Sequence, residues 1–272
     1  MKKTLDREFV EIKCPSCLDL ALTLDCGQAF RWENEGDKWR GVVKNREYIL
    51  EKNGEKLFVS GSCDRESIEI IKDYFDFDRD YDKILDKLKA DKYLKTAAEE
   101  YYGIRILKQD GWEALVSFII SQNNNIPRIK GIISRLCEFF GEKISDTAYS
   151  FPSAQRLSSL SAEDLAPLRS GFRAKYIIDA ANKVASGEVD LEKIKTMPID
   201  EARARLMTIK GVGPKVAECT LLYGFNRLEA FPVDVWVKRI MGELYENGLP
   251  ECFKNYEGIA QQYLFHWRRM SD

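Results

Sequence analysis

The run Lys210-Gly211-Val212-Gly213-Pro214 constrains this chain more than any other stretch. Before it, PIDEARARLMTI carries apolar residues at helical spacing, with Pro198 at its start; after it, Pro214 suits a first helical position, where its missing donor costs nothing. Two glycines in three residues permit a tight reversal between the helices and let an anion approach the backbone closely. Lys215 then falls in the first turn of the second helix and Cys219 one turn later, and the chain returns through Pro232-Val233-Asp234. The physical reading is a phosphate clamp with a candidate nucleophile beside it and a carboxylate brought in from the next element.

The rest of the chain divides by period. Residues 18–24 (LDLALTL) alternate apolar with small or polar residues, the pattern of a half-buried strand, and strand-like runs follow at 30–32, 38–43, 48–52 and 56–60. The segments ENEGD, KNRE and NGE read as the turns between them. From Asp64 the spacing becomes helical: DRESIEIIKDYF, YDKILDKLKA, KYLKTAAEEYYG, GWEALVSFIISQ and IPRIKGIISRLCEFFG, the last two separated by Asn123-Asn124-Asn125. SAEDLAPL, with Ser161 three residues before Asp164, resembles a capped helix start, and FRAKYIIDAANKVASG and segments near 214–225, 234–246 and 255–269 also read as helices. The expected fold is α+β: an N-terminal antiparallel sheet with following helices over 1–104, packed on a helical body over 105–272.

Net charge is −2, split as −4 over the first 104 residues and +2 over the remainder, so contact with nucleic acid must come from a local face and backbone amides. No apolar run has membrane-spanning length and the N-terminus lacks a signal-peptide pattern, which predicts an intracellular, cytoplasmic protein with no membrane partner. Cys14 and Cys17 form one CxxC without a second pair, and His266 is the only histidine, so the seven cysteines read as reduced thiols rather than a metal framework.

Chemistry at the hairpin has two physical readings. Lys215 either contacts phosphate or attacks an electrophilic carbon, the latter only when neutral. Cys219 as a thiolate would hold Lys215 protonated; as a thiol it would simply pack. Asp234 could stabilise positive charge developing opposite it.

Taken together, CGQAFRW, SQNNNIPRIKG, GFRAKYI, GVGPKVAEC with FPVDV, and GIAQQYLF occur in this order across roughly residues 12–270. In that combination the chain resembles the 8-oxoguanine DNA glycosylases of the eukaryotic type, within the helix–hairpin–helix glycosylase superfamily. The resemblance implies that Lys215 attacks C1′ of the damaged nucleotide, forms a Schiff base and nicks the strand by β-elimination, while Asp234 stabilises cationic character at the sugar. It implies a flipped base held by four residues. The Gly27 carbonyl accepts the N7–H of 8-oxoguanine, Gln261 reads the Watson–Crick edge, and Phe265 and Cys219 stack on its faces. By the same resemblance Asn123 fills the space the base leaves and Phe172, where tyrosine is more usual, wedges the opposite strand. Arg128 and Arg173 contact the estranged cytosine, or else phosphates, and Gly211 and Gly213 belong to the DNA-contacting hairpin.

Trp236 departs from the family pattern, which has a histidine there; an indole N–H donates but carries no charge. His266 is expected to be partly buried or solvent-facing and not to replace it. The family's hairpin also binds a monovalent cation through carbonyls, here those of Met207, Ile209 and Val212. The expectation is a monomeric glycosylase and abasic-site lyase acting on 8-oxoguanine in double-stranded DNA, opposite cytosine, with no required cofactor. The alternatives are a glycosylase for other oxidised or alkylated purines, or a non-catalytic hairpin module that only binds DNA.

Overall fold

The structure, a computed structural model, describes residues 9–271. Strands β1 (Phe9–Lys13), β2 (Trp32–Glu35), β3 (Lys38–Val43), β4 (Arg46–Asn53) and β5 (Lys56–Gly61) form one antiparallel sheet in the order β1-β5-β4-β3-β2. The helices of the N-terminal part are α1 (Leu20–Leu24), α2 (Arg65–Tyr74), α3 (Tyr81–Leu88) and α4 (Lys92–Glu100). The body follows with α5 (Gly111–Ser121), α6 (Ile126–Phe140), α7 (Ala154–Ser158), α8 (Arg173–Ala185), α9 (Leu191–Ile194) and α10 (Ile199–Leu206). It closes with α11 (Pro214–Cys219), α12 (Val235–Leu244) and α13 (Glu257–Ser271). The α+β architecture, a sheet against a helical body containing a hairpin between α10 and α11, is the expected one.

Two cores hold these layers. One lies beneath the sheet, where Trp39, Tyr48, Leu50, Leu57 and Val59 meet Ile68, Ile71 and Phe75 of the α2 region. The other is centred on α5, whose residues 114–120 are all buried, as expected of a helix apolar on every side. Side chains of α3 and α4, including Leu85, Leu88 and Leu94, pack into this second core. Capping is extensive: Asp64, Asp80, Asp91 and Asp110 each accept backbone N–H groups of the helix they precede, contributing about 0.5–2 kcal/mol apiece.

Several local readings are corrected. Residues 18–24 are not a strand: Asp19 accepts the Leu22 N–H at 2.8 Å and caps α1, and Leu20 and Leu24 are buried one turn apart. A side-chain cap outweighs alternation over so short a run. Of Phe30-Arg31-Trp32 only Trp32 lies in a strand; Phe30 turns into the helical core against Phe118. The ENEGD turn shrinks to Gly36-Asp37, since β2 continues to Glu35. Strand β1, pairing with β5 from Phe9↔Ser60 to Lys13↔Lys56, was not anticipated. Ser161 and Asp164 do exchange hydrogen bonds, but only a turn and a 3₁₀ segment at Ala166–Leu168 follow. The helix expected over 214–225 ends at Cys219 and passes into a π-helical turn, Thr220–Gly224.

The sheet is fitted around one indole. Trp32 lies opposite Gly41 in the β2–β3 register and donates to the Tyr74 hydroxyl at 3.0 Å. A Cβ at position 41 would come within 2.3 Å of the ring. Trp32 is held in place by that hydrogen bond, so Gly41→Ala should destabilise the chain by about 1–3 kcal/mol through overpacking. Guanidinium denaturation measures this, and an unshifted midpoint would show that the indole is free to move.

Candidate active site

The hairpin is braced from one side by α8. Asp179 accepts the Lys210 N–H at 2.7 Å, and Lys183 donates to the Thr208 carbonyl at 2.5 Å while pairing with Asp179 at 3.2 Å. Gly211 has φ +80°, and a Cβ there would fall 2.3 Å from the Tyr176 ring. Both the left-handed conformation and the close approach require glycine. Gly213, by contrast, is extended and unobstructed; it is the N-cap of α11, with no side chain to occupy the N–H groups behind it. The Ile209 carbonyl accepts the Val212 N–H at 3.0 Å, and no described hydrogen bond uses the carbonyls of Met207 or Val212.

Helix α11 therefore starts with unclaimed N–H groups and presents Lys215 in its first turn. The Lys215 Nζ lies 5.3 Å from the centroid of Phe118. Cys219 is buried one turn on, and burial raises its pKa against the opposing pull of Lys215. Burial prevails, so it is held as a thiol at neutral pH while staying within hydrogen-bonding reach of the lysine. Tyr223, one turn further, is carried on the π segment and stacks on Phe118 at 5.3 Å with the planes 22° apart. Gly224 permits this, because a Cβ there would meet Ala114 Cβ at 2.9 Å. Asp234 caps α12: one carboxylate oxygen accepts from Trp236 and Val237 N–H, each at 2.9 Å.

These elements enclose a cleft of about 730 Å³, lined by Gly27, Phe118, Asn123, Lys215, Asp234 and Phe265 among others. An inner recess of about 40 Å³ continues from it, lined by Cys219, Tyr223, Gln261 and Gln262 together with Gly27, Lys215, Asp234 and Phe265. The two pairs that the sequence separates most widely thus converge: Lys215 and Asp234 from the hairpin region, Gly27 and Gln261 from opposite ends of the chain. Gly27 has φ +88°. Gln261 is 4% exposed, and its Oε1 has no hydrogen-bond partner among the described residues.

Along the cleft rim the assigned residues separate into two groups. Asn123 (φ +47°), Arg128 and Phe172 are exposed, the last resting edge-on against Tyr176 at 5.7 Å. Arg173 is 2% exposed and points inward, donating to the carbonyls of Gln122 (2.9 Å from Nε), Asn123 (3.0 Å) and Ser170 (3.1 Å). Burial, then the nearby Arg128 charge, lowers its pKa from the usual guanidinium value. In this state its donors shape the Asn123 turn. Trp236 lines the cleft with the Arg239 guanidinium 5.1 Å from its ring centroid. His266 is 7% exposed and packs edge-on against Tyr101 at 4.6 Å, and it is not among the residues that line the cleft. Among the described residues no group of three or more His, Cys, Asp or Glu could hold a metal ion, and no helix is long and apolar enough to cross a membrane.

Comparison with known proteins agrees with this geometry. A family model described as the N-terminal domain of 8-oxoguanine DNA glycosylase matches residues 11–115, and that of the HhH-GPD superfamily of base excision DNA repair proteins matches 116–250. The N-glycosylase/DNA lyase of Saccharomyces cerevisiae is 35% identical over 89% of this chain and 73% of its own. The chain belongs to the 8-oxoguanine DNA glycosylase family. Its fold matches the structure of MBOgg1 in complex with a low-affinity DNA ligand at a TM-score of 0.91, with 42% identity over 100% of this chain and 99% of that one. It matches the Clostridium acetobutylicum 8-oxoguanine glycosylase/lyase, bound to double-stranded DNA with cytosine opposite 8-oxoG, at 0.88, with 34% identity over 98% and 99%.

In this glycosylase a further residue ties the site together. Glu218 is 7% exposed; it pairs with Arg203 of α10 and accepts the Phe231 N–H at 2.7 Å. It thereby links the helix that carries Lys215 to the loop that leads to Asp234. The one signal in the sequence was a carboxylate set among the apolar residues Val216, Ala217 and Cys219. Glu218→Ala should cost about 1–3 kcal/mol by leaving the part-buried Phe231 N–H and Arg203 without their acceptor, and should slow base release by more than the loss of folded protein explains. Denaturation and single-turnover assays on the folded fraction separate the two effects. His266 supplies a pH test. Burial, then Arg269, lowers its pKa from the ordinary 6.5. Its contribution to stability is therefore full above that value and is lost as pH falls from there through the lowered folded value. The drop in Tm between pH 7.5 and 5.5 should be smaller in His266→Phe than in the wild type.

Proposed function

We propose that this chain excises 8-oxoguanine from duplex DNA, opposite cytosine, and nicks the resulting abasic site as a lyase. The observation that carries this reading is the meeting of Lys215 and Asp234 with Gly27, Gln261 and Phe265 around one recess. A pure phosphate clamp would need the hairpin but neither a cleft of this size nor a recess behind it lined by Gly27 and Gln261.

The glycosidic carbon is out of reach inside a duplex, so the nucleotide is flipped into the cleft at a cost of a few kcal/mol. The open N-terminus of α11 and the Gly211–Gly213 hairpin bind the phosphate backbone through N–H groups. In the recess the Gly27 carbonyl receives N7–H, the proton 8-oxoguanine has and guanine lacks. A normal guanine would leave that carbonyl facing a lone pair, which discriminates strongly in a buried site. Phe265 covers one face of the base and the neutral Cys219 thiol the other.

Lys215, deprotonated, forms a bond from Nζ to C1′ as the glycosidic bond breaks and the base leaves with its electron pair and a proton. The nitrogen lone pair then breaks the C1′–O4′ bond, O4′ takes up a proton as the sugar opens, and the nitrogen keeps its remaining proton in the iminium Schiff base. Removal of a C2′ proton then expels the 3′ phosphate. Asp234 faces the cationic character at the sugar with the carboxylate oxygen not used in capping α12. The Phe118 ring offers its negative face to the iminium. This chemistry asks for no metal or nucleotide cofactor. A monovalent cation at the hairpin would be held by the carbonyls of Met207, Ile209 and Val212, two of them otherwise unclaimed, and would add only positive potential toward phosphate. Asn123 and Phe172 occupy the gap and the opposite strand, Arg128 meets the estranged cytosine, and Arg173 supports both through the Asn123 turn. We take 1–104 and 105–272 as the two working parts of one monomer, Gly27 being the first part's contribution to the site.

Borohydride trapping on duplexes containing 8-oxoguanine opposite each normal base tests the whole scheme. Lys215→Gln should form no adduct, and an adduct that persists would remove Lys215 as nucleophile. Asp234→Asn keeps an efficient N-cap yet should slow excision by about 10²-fold, the scale for losing one electrostatic stabiliser. Arg128→Ala should reduce the preference for cytosine; equal trapping across all four opposite bases in the wild type would end that assignment.

A further inference from the structure

The floor of the recess contains a polar pair that the scheme above does not use. Tyr223 donates its hydroxyl to the Gln262 Oε1 at 2.5 Å, and Tyr223 and Gln262 are 4% and 1% exposed. Gln262 Nε2 has no partner among the described residues, and neither has the neighbouring Gln261 Oε1. Each such buried atom costs about 1–3 kcal/mol while unsatisfied. Gln261 and Gln262 line the same recess, so one unpaired acceptor and one unpaired donor belong to neighbouring side chains of its lining.

We infer that Gln262 is a specificity-determining residue that donates from Nε2 to the 6-oxygen of the flipped purine, alongside Gln261. The inference rests on the proposed excision of 8-oxoguanine. The Watson–Crick edge of a guanine-type base offers an acceptor, O6, beside a donor, N1–H. That order complements Nε2–H of Gln262 and Oε1 of Gln261. An adenine-type base offers the reverse, a 6-amino donor beside the N1 acceptor.

The Tyr223 hydroxyl sets which way the Gln262 amide faces. Burial holds the phenol far above its ordinary pKa, so it keeps its proton and donates it to Oε1. Turning the amide over would leave that O–H without its acceptor. Gln261 has no comparable lock, because no described hydrogen bond fixes its amide. The stacking of Tyr223 on Phe118 holds the hydroxyl in place. Discrimination at the 6-position is thus assigned to a Tyr223–Gln262 unit, while the 8-oxo lesion is sensed through Gly27.

The test compares single-turnover base release from duplexes containing 8-oxoguanine or 8-oxoadenine opposite cytosine. Both lesions carry N7–H, so the Gly27 carbonyl does not distinguish them. Gln262→Met should lower the 8-oxoguanine to 8-oxoadenine rate ratio by about tenfold or more, since one buried hydrogen bond is removed for the first base and one mismatched donor for the second. Tyr223→Phe, which keeps the stacked ring, should lower it by a smaller factor by unlocking the amide. Borohydride trapping on a preformed abasic-site duplex, which has no base to read, should change far less than the ratio in both variants. An unchanged ratio in Gln262→Met overturns the inference, as does a fall in abasic-site trapping that matches the fall in excision. A wild-type protein that releases no 8-oxoguanine but traps on abasic sites would instead overturn the proposed substrate beneath it.

Discussion

The buried side chain of Gln28 is the contact on which the geometry of the site depends. Its Nε2 donates to the Thr23 and Arg105 carbonyls at 2.9 and 2.8 Å, and its Oε1 accepts the Leu107 N–H at 2.9 Å. Gln109 returns a bond to the Gln28 carbonyl at 2.7 Å. The loop that bears Gly27 is thereby stitched to the segment entering α5, and Gly27 from the N-terminal part is held in the lining of a recess built mainly by the helical body. Arg105 extends the seam: fully buried, it donates to the carbonyls of Cys17, Phe75 and Arg79 and lies 4.0 Å from the Tyr81 ring centroid. Its charge is spread over backbone acceptors and a ring face, which suits guanidinium better than ammonium. Without that seam the two cores could shift against each other and the base pocket would lose one wall.

On the far wall, precision comes from helix ends. Lys215 and Asp234 each sit at the start of a helix, where backbone direction is set by a cap, a proline or a glycine rather than by a flexible side chain. Glu218 ties those two starts together through Arg203 and the Phe231 N–H. Apolar packing around α5 supplies the rigid support, and Phe118 at its end faces both Lys215 and Tyr223. The resulting recess has aromatic and thiol sides with a polar floor. Such a site suits a flat, edge-bearing ligand, with Lys215 and Asp234 on the same lining.

The rim toward DNA is organised differently. Phe172, Val233 and Val235 are exposed there despite being apolar, at 52%, 45% and 69%. Arg128 is exposed as well, while Arg173 is drawn inward to hold the Asn123 turn. Overall charge favours no nucleic acid, so in the proposed scheme attachment falls to helix N-termini, a few cations and the exposed rim side chains.

Much of this was readable before any coordinates. The apolar continuity of GWEALVSFIISQ, the alternation of KWRGVV, the Gly-Val-Gly-Pro reversal and the spacing of Lys215, Cys219 and Asp234 follow from local periodicity and backbone sterics, which a linear string records directly. Residues 18–24 show where such reading fails, because one aspartate cap converted an alternating run into a helix. The π turn that aims Tyr223, the inward course of Arg173, the Glu218 strut and the Gln262 amide left no comparable local mark. Each is decided by which buried donor meets which buried acceptor, and those partners lie far apart in the chain. The sequence by itself determined most of the helices, the sheet's hairpins and the Gly-Val-Gly-Pro reversal, and it marked Lys215 and Asp234 as candidates. Only the tertiary structure decided which polar groups are satisfied by the protein and which are left facing the recess, because that balance is struck through space between residues no periodicity connects.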